Sequence, residues 1–125
     1  MYKTIVDNTP LIKVTSAKHE ANYSVNGSLM NPLEAFYAAL AACAAVYAKK
    51  ACKELGIPAE GIAIDCKPFT GPGGPLSLAK FKSDVCFPEH FTAEQKTKIL
   101  DSIAHCAVKE IVIDGANVEF QVAEV

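Results

Sequence analysis

Three kinds of hydrophobic pattern run along the chain. Tyr2–Val6, Leu11–Ser16 and Glu20–Val25 are short, alternating or β-branched, and separated by turn residues at Asp7-Asn8-Thr9-Pro10 and Asn26-Gly27. Alternation places successive side chains on opposite faces of a strand, so these three segments predict an antiparallel meander. Gly61–Pro68 repeats the pattern with Ile62, Ile64 and Cys66 on one face. Ser77–Phe87 does so with Ala79, Phe81, Ser83, Val85 and Phe87. The glycine- and proline-rich stretch between them suits only a loop, and the pair predicts a long hairpin. Asn117–Val122, with Val118, Phe120 and Val122 in alternation after Asp114-Gly115, predicts a sixth strand.

The helical patterns are different. Asn31 precedes Pro32 and Glu34, an N-cap followed by proline at the first helical position and a carboxylate three residues on. The helix this opens runs to Leu55 and ends at Gly56, with Pro58 beyond. Thr92 and Gln95 repeat the signature for a second helix carrying Ile99, Leu100, Ile103 and Ala104 on one face. Ala107–Ile113 fits helix or strand. The first helix is apolar in nearly every direction between Leu33 and Ala48, with Glu34 its one charge there. Such a helix has to be covered all round. The remaining elements of one chain of 125 residues are too few to cover it, so the expected partner is a second copy in an obligate homodimer.

Composition narrows the class. At this length a single domain, 1–125, with its own core is expected. A net charge of -2 and no basic run argue against nucleic acid or an anionic membrane as partner. The uncharged run Ala35–Ala48 is shorter than the ~20 residues of a bilayer span. The opening MYKTIVDNTP has no signal-peptide core, and the five cysteines are odd in number, so a cytoplasmic location and free thiols are expected. Those cysteines, at 43, 52, 66, 86 and 106, contain no CxxC pair, and no glycine-rich phosphate loop opens a helix. Neither a metal nor another cofactor is expected.

Cys43 lies in the middle of the alanine-rich helix, on the side of Phe36, Leu40 and Tyr47. A cysteine there serves either as a small apolar filler or as a reactive thiol. The same holds for Cys106, which follows His105. Cys52, Cys66 and Cys86 sit in ordinary amphipathic patterns and read as packing residues.

The run NPLEAFYAALAAC, the helix end ELGIP, the hairpin, the capped second helix and AHCAVKEI together resemble the OsmC/Ohr family, the osmotically inducible and organic hydroperoxide resistance proteins. In that family an Asn-Pro helix start precedes a reactive cysteine at the spacing of Asn31 and Cys43, and a second cysteine follows at a separation comparable to that of Cys106. The resemblance implies an α+β fold, a swapped homodimer with antiparallel sheets wrapped around two long central helices. It also implies a thiol-dependent peroxidase that reduces organic hydroperoxides. Cys43 would attack the peroxide and Cys106 would close a disulfide, which an external dithiol reopens. Phe36, Leu40 and Tyr47 would shape a pocket for a small hydrophobic peroxide or other apolar ligand.

Two family features are missing. Relatives activate the thiol with an arginine held by a glutamate directly after the proline; this chain has no arginine, and Leu33 stands at the glutamate's place. A free thiol titrates near 8.5 and is mostly protonated at neutral pH, so some cation has to act instead. Lys18, His19 and His105 are the candidates. The alternative is an OsmC-like domain without peroxidase activity that binds an apolar small molecule or serves as a redox-sensitive element.

Overall fold

The computed structural model describes residues 1–123. The chain forms two compact units, Met1–Ala39 and a second that begins at Leu40. In the first, β1 (Lys3–Thr4), β2 (Leu11–Thr15) and β3 (Glu20–Ser24) form an antiparallel sheet in that order. The register sets Ile12 opposite Tyr23 and Val14 opposite Ala21, so the four half-buried side chains share one face. The meander expected from the alternation is present, with a shorter first strand. After β3 the Ser24 hydroxyl receives the Leu29 amide at 2.8 Å and donates to the Leu29 carbonyl at 3.1 Å. Ser24 is the one buried residue of this unit, so its three strands enclose no core of their own.

Helix α1 spans Pro32–Leu55. Its start is the anticipated cap: the Asn31 side-chain oxygen takes the Glu34 amide at 2.9 Å, and the Asn31 side-chain amide donates to the Glu34 carboxylate at 3.2 Å. Its end is a Schellman arrangement. Gly56 adopts φ +68°, the Gly56 amide bonds the Lys53 carbonyl at 3.2 Å, and the Ile57 amide bonds the Cys52 carbonyl at 3.0 Å. By length and composition alone α1 could cross a bilayer, a test that the core helix of a soluble fold also passes.

In the second unit, β4 (Ala63–Phe69) and β5 (Lys80–Cys86) pair antiparallel. Ile64, paired with Val85, packs against the helical core, and a Gly71–Gly74 bridge closes the loop. The core joins Ala48, Ala51 and Cys52 of α1 to Phe91 and to Ile99 of α2 (Ala93–Ile103), with Leu55, Ile62, Ile64, Phe87 and Ile103 packed around them. Ala48, Ala51 and Cys52 of α1 share this cluster with Ile99 of α2. The Ser102 hydroxyl then bonds the Tyr47 carbonyl at 3.1 Å across the helix pair. Helix α2 starts with the full capping box of Thr92 and Gln95. Its buried side centres on Ile99, whereas Leu100 remains 46% exposed.

Ala107–Asp114 is helix α3, which resolves the helix-or-strand ambiguity. It stops at Gly115, φ +71°. The strand expected at Asn117–Val122 does not form: the segment is irregular, with Val118, Phe120 and Val122 all exposed. A strand needs a neighbour to satisfy its backbone, and among the described residues no strand of this chain pairs with it.

Candidate functional site

Cys43 and Cys106 come from elements 63 residues apart and meet in the second unit. Cys43 is half-buried on the central turns of α1. Cys106 is the N-cap of α3, where the chain turns sharply: Ala104, His105 and Cys106 amides bond the carbonyls of Leu100, Ser102 and Ile103. That turn leaves the Cys106 side chain 3% exposed, with the Cys43 thiol near enough to influence its titration.

Burial raises the pKa of the Cys106 thiol above its ordinary value, because the thiolate would lose its hydration. The neighbouring Cys43 thiol raises it further. The backbone amides of Lys109 and Val108, in the first turn of α3, oppose this weakly without making a formal cap on the sulfur. Cys52 is raised by burial as well. Both thiols therefore hold their proton more tightly in the folded chain than in the unfolded one. Their contribution to stability is complete below the unfolded thiol range, near 8.5, and is lost as pH climbs through the folded values. Urea titrations should show the unfolding free energy falling above about pH 8.5, with a shallower fall in Cys52→Ala. An equal slope in that variant would remove burial of Cys52 as a cause.

Next to Cys106 lies a cavity of about 440 Å³. Its walls include Leu40 and Ala44 of α1, Phe81 and Ser83 of β5, Ile103 at the end of α2, Cys106, and Lys109 and Val112 of α3. Of the three pocket residues expected from sequence, Leu40 lies in this wall. Tyr47, half-buried on α1, has the Lys50 ammonium 5.8 Å from its ring centre. Phe36 belongs to the first unit, where its ring packs on Tyr37 at 5.8 Å. Lys18 and His19 occupy the exposed β2–β3 turn of the first unit, where the His19 amide bonds the Ser16 hydroxyl at 3.1 Å. His105 is exposed and its Nδ1 is 2.7 Å from the Asp101 carbonyl, so its ring closes the end of α2.

Lys109 was passed over in the sequence. It stands one helical turn beyond Cys106 and lines the same cavity. Its ammonium bonds the Ala104 carbonyl at 2.9 Å and approaches the Glu110 carboxylate at 3.4 Å. The signal was the Cys-x-x-Lys spacing at a helix start, readable only once Ala107–Ile113 is known to be helical. Of the other cysteines, Cys66 has its sulfur 3.3 Å from the Ser83 hydroxyl and Cys86 is exposed. Among the described residues no three His, Cys, Asp or Glu side chains gather as a metal site.

The family model for OsmC-like proteins matches residues 25–121. No curated protein sequence matches the chain. Among solved structures, the fold is similar to an OsmC-like protein from Mycoplasma pneumoniae, with TM-score 0.73 at 12% identity over 90% of this chain and 86% of that one. It is also similar to a protein from Psychrobacter arcticus 273-4 described as osmotic-stress-induced and acting in a detoxification response. There the TM-score is 0.72 at 12% identity over 87% and 85% of the two chains. At this identity the likeness speaks for the fold alone.

Proposed function

Because this chain belongs to the OsmC-like family, we propose that it is a thiol peroxidase that reduces organic hydroperoxides through Cys43 and Cys106. The observation that carries the reading is the proximity of the two thiols, brought together from distant elements, with Cys106 in the wall of an apolar cavity. The Cys43 thiolate attacks the terminal peroxide oxygen, the O–O bond breaks, and the alcohol leaves with a proton. Cys43 is then a sulfenic acid. The Cys106 sulfur attacks it, its proton joins the departing hydroxide as water, and a disulfide forms. Two electrons from an external dithiol restore both thiols. Burial keeps Cys106 protonated, so its proton has to leave as the sulfur attacks.

The test is loss of an organic hydroperoxide in the presence of purified protein and a dithiol, with the dithiol oxidised in equal amount. No turnover would reject the reading. The lack of arginine favours a second one, an OsmC-like domain that binds an apolar molecule or responds to oxidation without turning peroxide over. Stoichiometric disulfide formation without catalysis would select it.

The working protein is a cytoplasmic homodimer in this proposal. Val46 on α1 is 59% exposed, and Ala42 and Ala45 near it are exposed too. The first unit also exposes Tyr2, Ile5, Val6 and Leu11. Apolar surface of this extent calls for a partner. Sedimentation equilibrium should return twice the chain mass at every concentration where the chain is folded. A stable folded monomer would refute the dimer.

A further inference from the structure

The end of α2 is closed donor by donor. The last carbonyls of a helix have no partner inside it. Here the Leu100 carbonyl takes the Ala104 amide at 3.0 Å, and the Asp101 carbonyl accepts from His105 Nδ1 at 2.7 Å. The Ser102 carbonyl takes the His105 amide at 3.0 Å, and the Ile103 carbonyl takes the Cys106 amide at 3.1 Å. Each of those donors lies within Ala104–Cys106. The Ala104 carbonyl is different, because it takes the Lys109 ammonium, at 2.9 Å, from the first turn of α3. That bond joins residues 104 and 109 and so brackets Cys106, whose own carbonyl takes the Glu110 amide at 3.1 Å. A turn fastened at both ends limits where its sulfur can go. The other neighbour of Lys109, the Glu110 carboxylate at 3.4 Å, is half-exposed, and such a pair contributes little. The influences on the Cys106 thiol are burial, the Cys43 thiol and the Val108 and Lys109 amides, so the ammonium acts on the turn rather than on the sulfur.

We infer that Lys109 is a positioning residue for Cys106: by fastening the start of α3 to the C-cap of α2, it holds the second thiol where Cys43 can reach it. The inference deepens the function proposed above and rests on Cys43 and Cys106 being the redox pair. Disulfide formation within one chain follows the effective concentration of one thiol at the other. A turn already pinned at 104 and 109 has less freedom left to lose when the S–S bond closes. With the pin removed, closure itself has to restrict the turn, and the disulfide becomes easier to reduce. His105 supplies the contrast. Its ring bonds the Asp101 carbonyl from the N-terminal side of Cys106, so it caps α2 without bracketing the thiol.

Equilibration with reduced and oxidised glutathione, at about pH 8 where histidine is neutral, measures this. Cys43 and Cys106 give two electrons and two protons to oxidised glutathione, which becomes two reduced molecules, and peptide mapping counts the Cys43–Cys106 link. Lys109→Met keeps the length of the side chain and loses its donors. It should lower the equilibrium constant for the disulfide roughly three- to ten-fold, the scale of one part-exposed hydrogen bond to a charged group. For a two-electron couple that is about 15–30 mV. Lys109→Arg should stay within about two-fold of the wild type, since a guanidinium can donate to the same carbonyl. His105→Ala should do so as well. Circular dichroism establishes that each variant is folded. An unchanged constant in Lys109→Met, no rescue by Lys109→Arg, an equal shift in His105→Ala, or no Cys43–Cys106 link in the wild type would overturn the inference. The titration uses no peroxide, and turnover of cumene hydroperoxide by the wild type reports on the peroxidase reading separately. A protein that shows the Lys109 shift yet reduces no peroxide keeps the positioning role and loses that reading.

Discussion

Replacing Cys43 by serine should abolish dithiol-dependent reduction of organic hydroperoxides, with a loss on the order of a thousand-fold or more, as when an enzyme loses its nucleophile. A serine hydroxyl stays protonated at neutral pH and its oxygen is a poor attacking atom for a peroxide bond. Cys106→Ser should behave differently. Cys43 can still take one oxygen from the peroxide, so one equivalent should be consumed before turnover stops, and a sulfenic-acid-reactive probe should label Cys43. The contrast between no burst and a single-equivalent burst assigns the two roles. If Cys43→Ser retains turnover, the assignment fails. If both variants lose the burst, Cys106 does more than resolve. Because Cys106 is buried, thermal unfolding of each variant should accompany the kinetics.

The largest effect on stability should come from Ile99. Its side chain is fully buried, at 0% exposure, between the small residues of α1 and the aromatic ring of Phe91. Ile99→Ala removes hydrocarbon from a site closed on every side and should cost about 2–5 kcal/mol, read as a lower urea midpoint with an unchanged slope. Ile99→Asp should leave no folded protein, because a buried carboxylate without a partner costs more than a domain of this size has in reserve. By contrast Leu100→Ala, at a neighbouring position that is 46% exposed, should cost under about 1 kcal/mol in the isolated chain. A cost at Leu100 equal to that at Ile99 would mean that both sides of α2 are covered.

These contrasts mark what could be read from sequence and what could not. The caps of α1 and α2 were legible to the residue, because capping is local chemistry between positions three apart, as at Asn31–Glu34 and Thr92–Gln95. The meander and the β4–β5 hairpin were legible because alternation has a period of two and turns carry their own residues. The family was legible from the spacing of Asn31, Cys43 and Cys106, and the match over residues 25–121 agrees with it. The strand at Asn117–Val122 was misread for a physical reason: alternation states that a segment could pair, not that a partner is present.

Tertiary structure decided the rest. That Cys43 lies near Cys106 depends on the turn between α2 and α3, which no local pattern encodes. That Lys109 stands at the cavity edge depends on Ala107–Asp114 being helical, a choice the apolar content of that segment left open. Sequence alone determined which residues could form helices, strands and reactive thiols, since those preferences arise within a few residues of each position. Which of them share a cavity was decided by packing, since burial, and with it the raised pKa of Cys106, is a property of neighbours distant in the chain.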